Sequence, residues 1–311
     1  MAGRRSVLHF LSSLPILGAM PIWATSSQSS ALIQRKIPRD PTSIIPAVGM
    51  GSYQTFNVEH DVIQKNNLLE VLKTFFSLGG QFIDSSPMYG HSEAVIGELI
   101  RTISPRPKWF AASKVWTYGK QSGFDSINHS ASLMGKMRAD KATMDLMQIH
   151  NLRDWQIHLP TLMELKQRQI IRYIGITTSR ISQYSDFEKV MRQHQLDFIQ
   201  LNYNIKVRDA EERLLPLALE RKMGVIVNMP YEKGRLFKLV KNKPLPTWAK
   251  EIDCHSWGQF FLKYIISHPA VTCVIPATSK VHHMRDNMQA MYGRLPDDNM
   301  RQKMVRYFND L

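Results

Sequence analysis

The stretch from Met144 to Thr177 reads MDLMQIHNLRDWQIHLPTLMELKQRQIIRYIGIT. It begins with a short apolar run, Met144–His150, and ends with a second one, Tyr173–Thr177. Between the two runs, Leu159–Arg168 has the apolar spacing of an amphipathic helix. Short apolar runs separated by helical segments are typical of parallel strands joined by helical crossovers. This stretch therefore predicts one β-α-β unit.

The same alternation continues along the rest of the chain, and eight such units close most naturally into a barrel. An open doubly wound sheet is the main alternative, and a dinucleotide-binding sheet of that kind normally carries GxGxxG after its first strand. The nearest candidate, Gly49-Met50-Gly51, is not followed by the third glycine. We therefore predict an α/β fold, a (β/α)8 TIM barrel. Its predicted strands are Ala47–Met50, Phe82–Asp84, Trp109–Ser113, Met144–His150, Tyr173–Thr177, Phe198–Leu201, Val225–Asn228 and Val271–Ile275.

The segment before the first strand, Ile33–Ile45, contains Pro38, Asp40 and Pro41. Turn-forming residues between two apolar runs indicate a hairpin. We expect this hairpin to plug the bottom of the barrel. No change of composition follows it, so residues 31–311 are predicted to form one barrel domain.

The first thirty residues differ from the rest. Arg4 and Arg5 are followed by an apolar stretch, Val7–Trp23, and then by the polar run Thr25–Ser30. This three-part arrangement predicts an export signal and polar linker over residues 1–30. The arginine pair resembles a twin-arginine signal, which directs folded proteins across the bacterial inner membrane. We therefore expect a periplasmic protein that uses the twin-arginine machinery and has no stable membrane anchor. The alternative is a cytoplasmic protein with an N-terminal arm.

Composition argues against two other classes of protein. The formal net charge is +14, from 40 Lys and Arg against 26 Asp and Glu, but the basic residues are scattered. Scattered charges predict a solvated basic surface rather than a nucleic-acid site, and part of the excess would suit a phosphate-bearing ligand. Cys254 and Cys273 belong to no CxxC or Cys/His cluster, so no metal site is predicted.

Polar side chains lie where three consecutive predicted strands end. Asp84 closes the second strand, Tyr89 follows it by five residues, and Lys114 and His150 close the third and fourth strands. Each has an ordinary structural explanation alone, such as a helix cap for the aspartate. In a barrel, however, these strand ends meet at the rim that carries the active site.

Together the four groups form a coherent chemical set. A phenol with a pKa near 10 is a poor acid at neutral pH, so we expect the Lys114 ammonium to lower the pKa of Tyr89. Asp84 would hold Lys114, and His150 would orient a carbonyl oxygen by a hydrogen bond. Such a site protonates the alkoxide that forms when a hydride reaches a carbonyl.

The segments that carry these four residues, together with others along the chain, resemble the aldo-keto reductase family over about residues 35–291. The resemblance implies NADPH bound across the top of the barrel, Tyr89 as general acid tuned by Lys114 and Asp84, and His150 as the residue that orients the carbonyl. NADPH is favoured over NADH because Lys280 is retained near the 2′-phosphate. The matching segments are Phe82–Gly90, Ser113-Lys114, Gln148–Asn151, Tyr173–Thr177, Asp197–Asn202 and Ile275–Lys280.

The resemblance also implies a set of cofactor contacts. Gln200 would contact the nicotinamide carboxamide, and the loop from Met229 to Gly234 would contact the pyrophosphate. The 2′-phosphate would lie at residues 278–280, where a helix begins and its exposed N–H groups suit an anion. Three positions depart from the family pattern, because Thr177-Thr178 replaces Ser-Asn, Asn228 replaces an aromatic residue and His283 replaces an arginine. The full predicted cofactor set is Thr177, Thr178, Gln200, Asn228, Met229, Gly234, Thr278, Lys280, His283, Asp286 and Asn287.

The substrate is predicted to be a small carbonyl compound whose pocket is lined, from position alone, by Trp116, Tyr118 and Tyr231. The chain is expected to act as a monomer. Two functions follow from the resemblance. The first is NADPH-dependent reduction of an aldehyde or ketone. The second is a low-turnover NADP(H)-binding regulatory or sensor protein on the same fold.

Overall fold

The apolar runs of the sequence form eight parallel strands in the computed structural model, which describes residues 31–139 and 141–311. Neighbours in the sheet follow chain order. The first and last strands also meet, through parallel bridges Val48–Val274 and Gly51–Ala277, so the sheet closes. The predicted barrel is confirmed. Its strands are β1 (Met50–Gly51), β2 (Phe82–Asp84), β3 (Phe110–Val115), β4 (Met144–Ile149), β5 (Ile171–Thr177), β6 (Phe198–Asn202), β7 (Gly224–Asn228) and β8 (Val271–Val274).

The helices cover the outside of the barrel with one apolar face each. The first of them begins after Asp61, whose carboxylate accepts the Gln64 N–H at 2.8 Å, and it buries residues 68, 71, 72 and 75 at helical spacing. The α-helices of the described chain are α1 (Val62–Ser77), α2 (Ser92–Thr102), α3 (Lys120–Leu133), α4 (Trp155–Gln167), α5 (Tyr184–Gln193), α6 (Leu214–Glu220), α7 (Arg235–Leu239), α8 (Trp257–Ile266), α9 (Val281–Gln289) and α10 (Asp298–Asn309).

The predicted N-terminal hairpin is present as antiparallel strands Gln34–Ile37 and Asp40–Pro46. Its residues Ile37 and Ile45 are buried in one cluster with side chains from inside the barrel, including Phe110. The hairpin therefore closes the end of the barrel opposite the C-terminal strand ends. Both cysteines are buried free thiols.

Several element bounds differ from the prediction. The third strand continues to Val115, so Lys114 lies within it rather than at its end. The helix predicted at Leu159–Arg168 begins earlier, at Trp155, and ends at Gln167. The sequence periodicity did not predict the two-residue strands at Met137 and Lys141, which pair only with each other.

Within the described ranges, no helix is both long enough and apolar enough to cross a bilayer. The predicted export signal at residues 1–30 lies outside the described residues.

Candidate active site

A buried ion pair lies at the centre of the C-terminal rim. Strands β2 and β3 are neighbours, and Lys114 Nζ lies 2.5 Å from Asp84 Oδ2 and 2.8 Å from the Ser85 carbonyl oxygen. The other carboxylate oxygen, Asp84 Oδ1, accepts hydrogen bonds from Gln148 Nε2 at 3.1 Å and Gln200 Nε2 at 3.0 Å. The Lys114 side chain has no solvent exposure. Burial opposes its charge, but attraction to Asp84 and Tyr89 prevails and raises the pKa of Lys114.

The phenol of Tyr89 lies beside this pair. Ser86 caps the 3₁₀ turn Pro87–Tyr89 by accepting the Met88 N–H, and the turn holds the Tyr89 ring with its centroid 5.2 Å from Lys114 Nζ. Burial raises the pKa of Tyr89 by more than Lys114 lowers it, so its pKa lies above the ordinary value. The expected net lowering of this pKa was wrong. The phenol of the free protein stays protonated at neutral pH, which is the state that a proton donor needs.

The imidazole of His150 completes the group. Its ring lies 5.8 Å from the ring of Tyr89, and its Nδ1 lies 2.9 Å from Ser86 Oγ. Burial, followed by the charges of Lys114 and Arg153, lowers the pKa of His150 to about 2, so the ring is neutral. We assign the tautomer in which the Ser86 hydroxyl donates to His150 Nδ1, since a hydroxyl can donate its proton while its oxygen accepts the Met88 N–H. The imidazole proton then lies on Nε2 and can be donated.

A cavity of about 1140 Å³ opens above these groups. It exceeds the roughly 300–1,000 Å³ of typical small-molecule pockets, so it has room for a dinucleotide together with a small substrate. Three of the four predicted chemical residues line it, and Lys114 lies beneath them. The predicted site residues on its wall are Asp84, Tyr89, His150, Thr177, Gln200, Asn228, Met229, Tyr231, Gly234, Thr278, His283, Asp286 and Asn287.

An unpaired amide oxygen lies in the middle of this cavity wall. Asn228 Nδ2 donates to the Thr178 carbonyl oxygen at 3.1 Å, whereas the buried Asn228 Oδ1 has no hydrogen-bond partner. A buried acceptor without a partner is costly, so a water molecule or a ligand is expected to supply its donor. The primary amide of a nicotinamide would supply the donor that Asn228 Oδ1 lacks.

The two threonines after β5 have different positions. Thr177 lines the cavity, and its Oγ1 accepts the Asn151 N–H at 3.2 Å. The Thr178 side chain is fully buried in the following turn and donates to Gln183 Oε1 at 2.7 Å. The prediction of a cofactor contact by the Thr178 side chain is therefore corrected, since Thr178 acts on the cavity only through the carbonyl that holds Asn228.

The loop after β7 has an unusual backbone. Met229, Glu232 and Lys233 have φ values of 49°, 50° and 54°, in the left-handed region that non-glycine residues seldom adopt. The buried Glu232 carboxylate fixes this loop by accepting hydrogen bonds from Asn202 Nδ2 at 3.0 Å and Asn204 Nδ2 at 2.9 Å. Such strain is concentrated at ligand-binding segments. Met229, Lys233 and Gly234 all line the cavity.

The N-terminus of α9 forms one end of the cavity. Thr278 Oγ1 accepts the Lys280 N–H at 3.1 Å, and Lys280 is the exposed residue that precedes α9. Lys280 lies at the rim rather than among the residues that line the cavity. His283 does line it, and burial, His282 and Lys280 together lower its pKa, which favours the neutral ring.

The same end is bounded by α8. The Asp286 carboxylate accepts hydrogen bonds from Ser256 Oγ at 2.6 Å and Gln259 Nε2 at 2.7 Å. Tyr231 donates its hydroxyl proton to Asn287 Oδ1 at 2.6 Å. Tyr231 lines the cavity, and its contact with substrate stays a prediction. It lies at the end of the cavity formed by α8 and α9, with the residues predicted to bind adenine.

The two other predicted pocket residues, Trp116 and Tyr118, are not among the residues that line the cavity, and they flank an arginine that the sequence did not single out. The Trp116 ring lies 4.9 Å from the His150 ring, and Tyr118 is 66% exposed. Arg153 Cζ lies 3.6 Å from the centroid of Trp116 and 4.8 Å from that of Tyr118. Arg153 follows His150 by three residues on the loop after β4. Its place on a loop at the C-terminal rim is the sequence signal that could have marked it as a candidate site residue.

Two further residues of the site were missed for different reasons. Gln148 lies two residues before His150 in the predicted strand Met144–His150, so side-chain alternation already indicated a shared face. Ser86 stands before a proline in the loop after β2, a position that favours a cap. Its contact with His150 depends on the arrangement of β2 and β4 and has no signal in the sequence.

Comparisons with known proteins agree on one family. A family model described as "Aldo/keto reductase family" matches residues 47–303. The chain is 24% identical over 271 residues to an uncharacterized oxidoreductase, YqkF, from Bacillus subtilis, with 74% of this chain and 84% of the relative covered. It is 23% identical over 274 residues to L-galactose dehydrogenase of Arabidopsis thaliana, covering 79% and 84% of the two chains.

Solved structures show the same fold. The holo form of aldo-keto reductase AKR11C1 from Bacillus halodurans superposes with a TM-score of 0.71 at 20% identity, covering 89% of this chain and 96% of that one. An aldo-keto reductase from Klebsiella pneumoniae in complex with NADPH gives a TM-score of 0.70 at 19% identity, covering 89% and 95%.

Proposed function

Because the chain belongs to the aldo/keto reductase family, we propose that it reduces an aldehyde or ketone to an alcohol with NADPH. The observation that carries this proposal is the meeting of Tyr89, Lys114, Asp84 and His150 at one cavity. A protonated phenol, a neutral imidazole and a buried cation are what a site needs in order to protonate an alkoxide.

The cavity fits the proposed cofactor. Its volume admits a dinucleotide, and Asn228 Oδ1 lacks the donor that a carboxamide would bring. Thr278, Lys280 and the backbone N–H groups that begin α9 suit a phosphate. When bound, NADPH supplies the hydride. The NADPH complex of the Klebsiella pneumoniae structure supports the same choice.

We assign each residue a step that its geometry allows. His150 Nε2 donates a hydrogen bond to the carbonyl oxygen and orients it beside Tyr89. The Tyr89 hydroxyl transfers its proton to the oxygen as negative charge develops there. Lys114 stabilises the phenolate that is left, and Asp84 keeps Lys114 in place through the bond of 2.5 Å. A proton from solvent then restores Tyr89.

Single-site variants test this assignment. Tyr89→Phe removes the proton and leaves the ring, so substrate-dependent NADPH oxidation should fall by about 10²–10⁴-fold, the usual contribution of general acid catalysis. The Kd for NADPH, measured by the quenching of protein fluorescence, should stay within about twofold of its value in the unmodified protein. Turnover that survives in Tyr89→Phe would contradict the assignment. Tight NADPH binding without reduction of any carbonyl in a broad panel would favour the sensor function instead.

We also propose that residues 1–30 direct the folded protein to the periplasm. The support is the order of Arg4-Arg5, the apolar stretch Val7–Trp23 and the polar run after it. Fusion of residues 1–30 to a folded fluorescent protein should give periplasmic fluorescence in a bacterium with the twin-arginine machinery. The variant with Arg4→Lys and Arg5→Lys should stay cytoplasmic. Cytoplasmic fluorescence from both fusions would refute export.

A further inference from the structure

Arg153 is held in a fixed position on the loop after β4, next to the lining residues His150 and Asn151 but not itself among the residues that line the cavity. Its guanidinium lies 3.6 Å from the centroid of Trp116 and 4.8 Å from that of Tyr118. Trp116 in turn lies 4.9 Å from the His150 ring. Stacking on aromatic rings restricts a side chain that is otherwise flexible. The guanidinium is therefore placed one aromatic ring away from the imidazole that would orient the carbonyl.

The Arg153 guanidinium has no carboxylate partner within the described chain. Across residues 31–139 and 141–311, no acidic side chain forms an ion pair with Arg153, and its guanidinium donates no hydrogen bond. The adjacent Asp154 carboxylate instead accepts the Gly119 N–H at 2.7 Å and lies 3.9 Å from His158 Nε2. Two other surface arginines near β4 and β5 are paired, Arg168 with Glu164 and Arg172 with Asp145.

A second cation lies on the neighbouring loop. Arg180 is exposed, lines the cavity and has no acidic partner within the described ranges. Its loop contacts the His150 loop, since Gln183 Nε2 donates to the Asn151 carbonyl oxygen at 3.1 Å. The two loops therefore carry positive charge at this side of the barrel rim, Arg180 in the cavity wall and Arg153 beside it, and within the described ranges neither arginine forms an ion pair.

We infer that the substrate is a carbonyl compound that also carries a carboxylate, and that Arg153 binds this carboxylate. The inference rests on the proposed reductase function and deepens it. A guanidinium presents parallel N–H donors that match the two oxygens of a carboxylate. Its separation from His150 by one ring sets the spacing, so carbonyl and carboxylate should stand about one aromatic ring apart. The competing role for Arg153 is to hold Trp116 against His150 without touching the substrate.

A pair of aldehydes separates these two roles. 4-Carboxybenzaldehyde places a carboxylate one ring from the carbonyl, and its methyl ester has nearly the same shape without the charge. Arg153→Gln should lower kcat/KM for 4-carboxybenzaldehyde by about 10- to 100-fold, since a hydrogen-bonded charge pair is lost. It should change kcat/KM for the ester by less than threefold, with most of the loss for the acid in KM.

The control is Arg106→Gln, which makes the same change of charge. Arg106 is exposed and precedes β3, at the opposite end of the barrel from His150. This variant should reduce both aldehydes at the rate of the unmodified protein. Equal losses for acid and ester in Arg153→Gln would overturn the inference and leave Arg153 as a support for Trp116. A preference of the unmodified protein for the ester would overturn it as well.

A binding measurement separates failure of this inference from failure of the proposed function. 4-(Hydroxymethyl)benzoate and its uncharged amide can be titrated calorimetrically into the full-length protein with NADP⁺ present. We expect the benzoate to bind at least tenfold more tightly than the amide, and Arg153→Gln to remove the difference. That result would support the carboxylate site even if no aldehyde were reduced. Equal affinities of the two compounds would refute the site, whether or not the protein turns over.

Discussion

The pair Asp84–Lys114 allows a sharp test of what holds the site together. Both side chains are buried, with relative exposures of 3% and 0%. Asp84→Asn would leave the Lys114 ammonium inside the protein without a counter-charge. Lys114→Met would leave a carboxylate that still accepts hydrogen bonds from two glutamine amides, at 3.1 Å and 3.0 Å. The two single variants therefore remove the same ion pair but leave different groups behind.

The expected free energies follow from those remaining contacts. Removing one partner of a buried ion pair typically costs about 3–5 kcal/mol. For Asp84→Asn we expect the lower value, about 3 kcal/mol, because the bond from Lys114 Nζ to the Ser85 carbonyl oxygen survives. At roughly 2–4 °C per kcal/mol for a domain of this size, the melting temperature should fall by about 6–12 °C. The double variant Asp84→Asn with Lys114→Met carries no buried charge, so it should lose only about 1 kcal/mol.

The unmodified protein, the two single variants and the double variant are compared without cofactor. Their melting temperatures are measured by circular dichroism, and their free energies of unfolding are checked by urea titration. The double variant should be more stable than Asp84→Asn alone, which gives a coupling free energy of about 2 kcal/mol or more. Additive losses in the double variant would show that the two charges do not depend on each other. The buried ion pair would then not be the element that positions Lys114.

Three further predictions concern single residues. Because the folded-state pKa of His150 is lowered to about 2, the unfolded chain binds a proton below about pH 6.5 that the folded chain does not, and stability is lost as the pH falls. His150 should therefore account for a fall of about 2 kcal/mol in the free energy of unfolding between pH 7 and pH 5. In His150→Gln this part of the pH dependence should disappear. An unchanged pH dependence of the free energy of unfolding, measured by urea titration, would contradict the prediction. Asn228→Ala should raise the Kd for NADPH by about two- to tenfold, since one hydrogen bond is lost, while the melting temperature of the free protein changes little; an unchanged Kd would show that Asn228 Oδ1 does not meet the cofactor. His283→Arg adds a permanent charge where the imidazole is mainly neutral, so the ratio of kcat/KM for NADPH over NADH should rise about tenfold at pH 7.5; no change in this ratio would place the 2′-phosphate elsewhere.

The barrel could be predicted because its signals are local. Each strand is an apolar run bounded by helical segments. The C-terminal ends of the strands meet at one rim, and this does not depend on the conformation of the loops. That is why Asp84 and His150 could be placed together across 66 positions of sequence. The direction of a side chain in a turn is a different matter. Thr178 was misplaced because the turn after β5 decides where its side chain points, and Trp116 and Tyr118 lie off the cavity wall against Arg153; neither arrangement leaves a periodic pattern.

The pKa of Tyr89 was misjudged for a related reason. The sequence indicates that a cation will lie near the phenol, and the structure confirms that Lys114 does. It does not indicate how much water the fold removes from around the ring, and here that loss of water outweighs the nearby charge. Composition and spacing report which groups can meet, whereas the burial of each group depends on the packing of the whole rim.

The opposite pKa shifts of Tyr89 and His150 have one cause and a joint consequence. Both rings lose water, and loss of water favours the neutral form of each, which raises the pKa of an acid and lowers that of a base. The free site therefore holds a neutral donor on Tyr89 and a neutral donor on His150, with the charge confined to Lys114 and its partner Asp84. A carbonyl oxygen entering between the two rings meets two hydrogen-bond donors and, behind them, one positive charge. Each of these interactions strengthens as the oxygen becomes an alkoxide, so the arrangement favours the charged oxygen over the carbonyl itself.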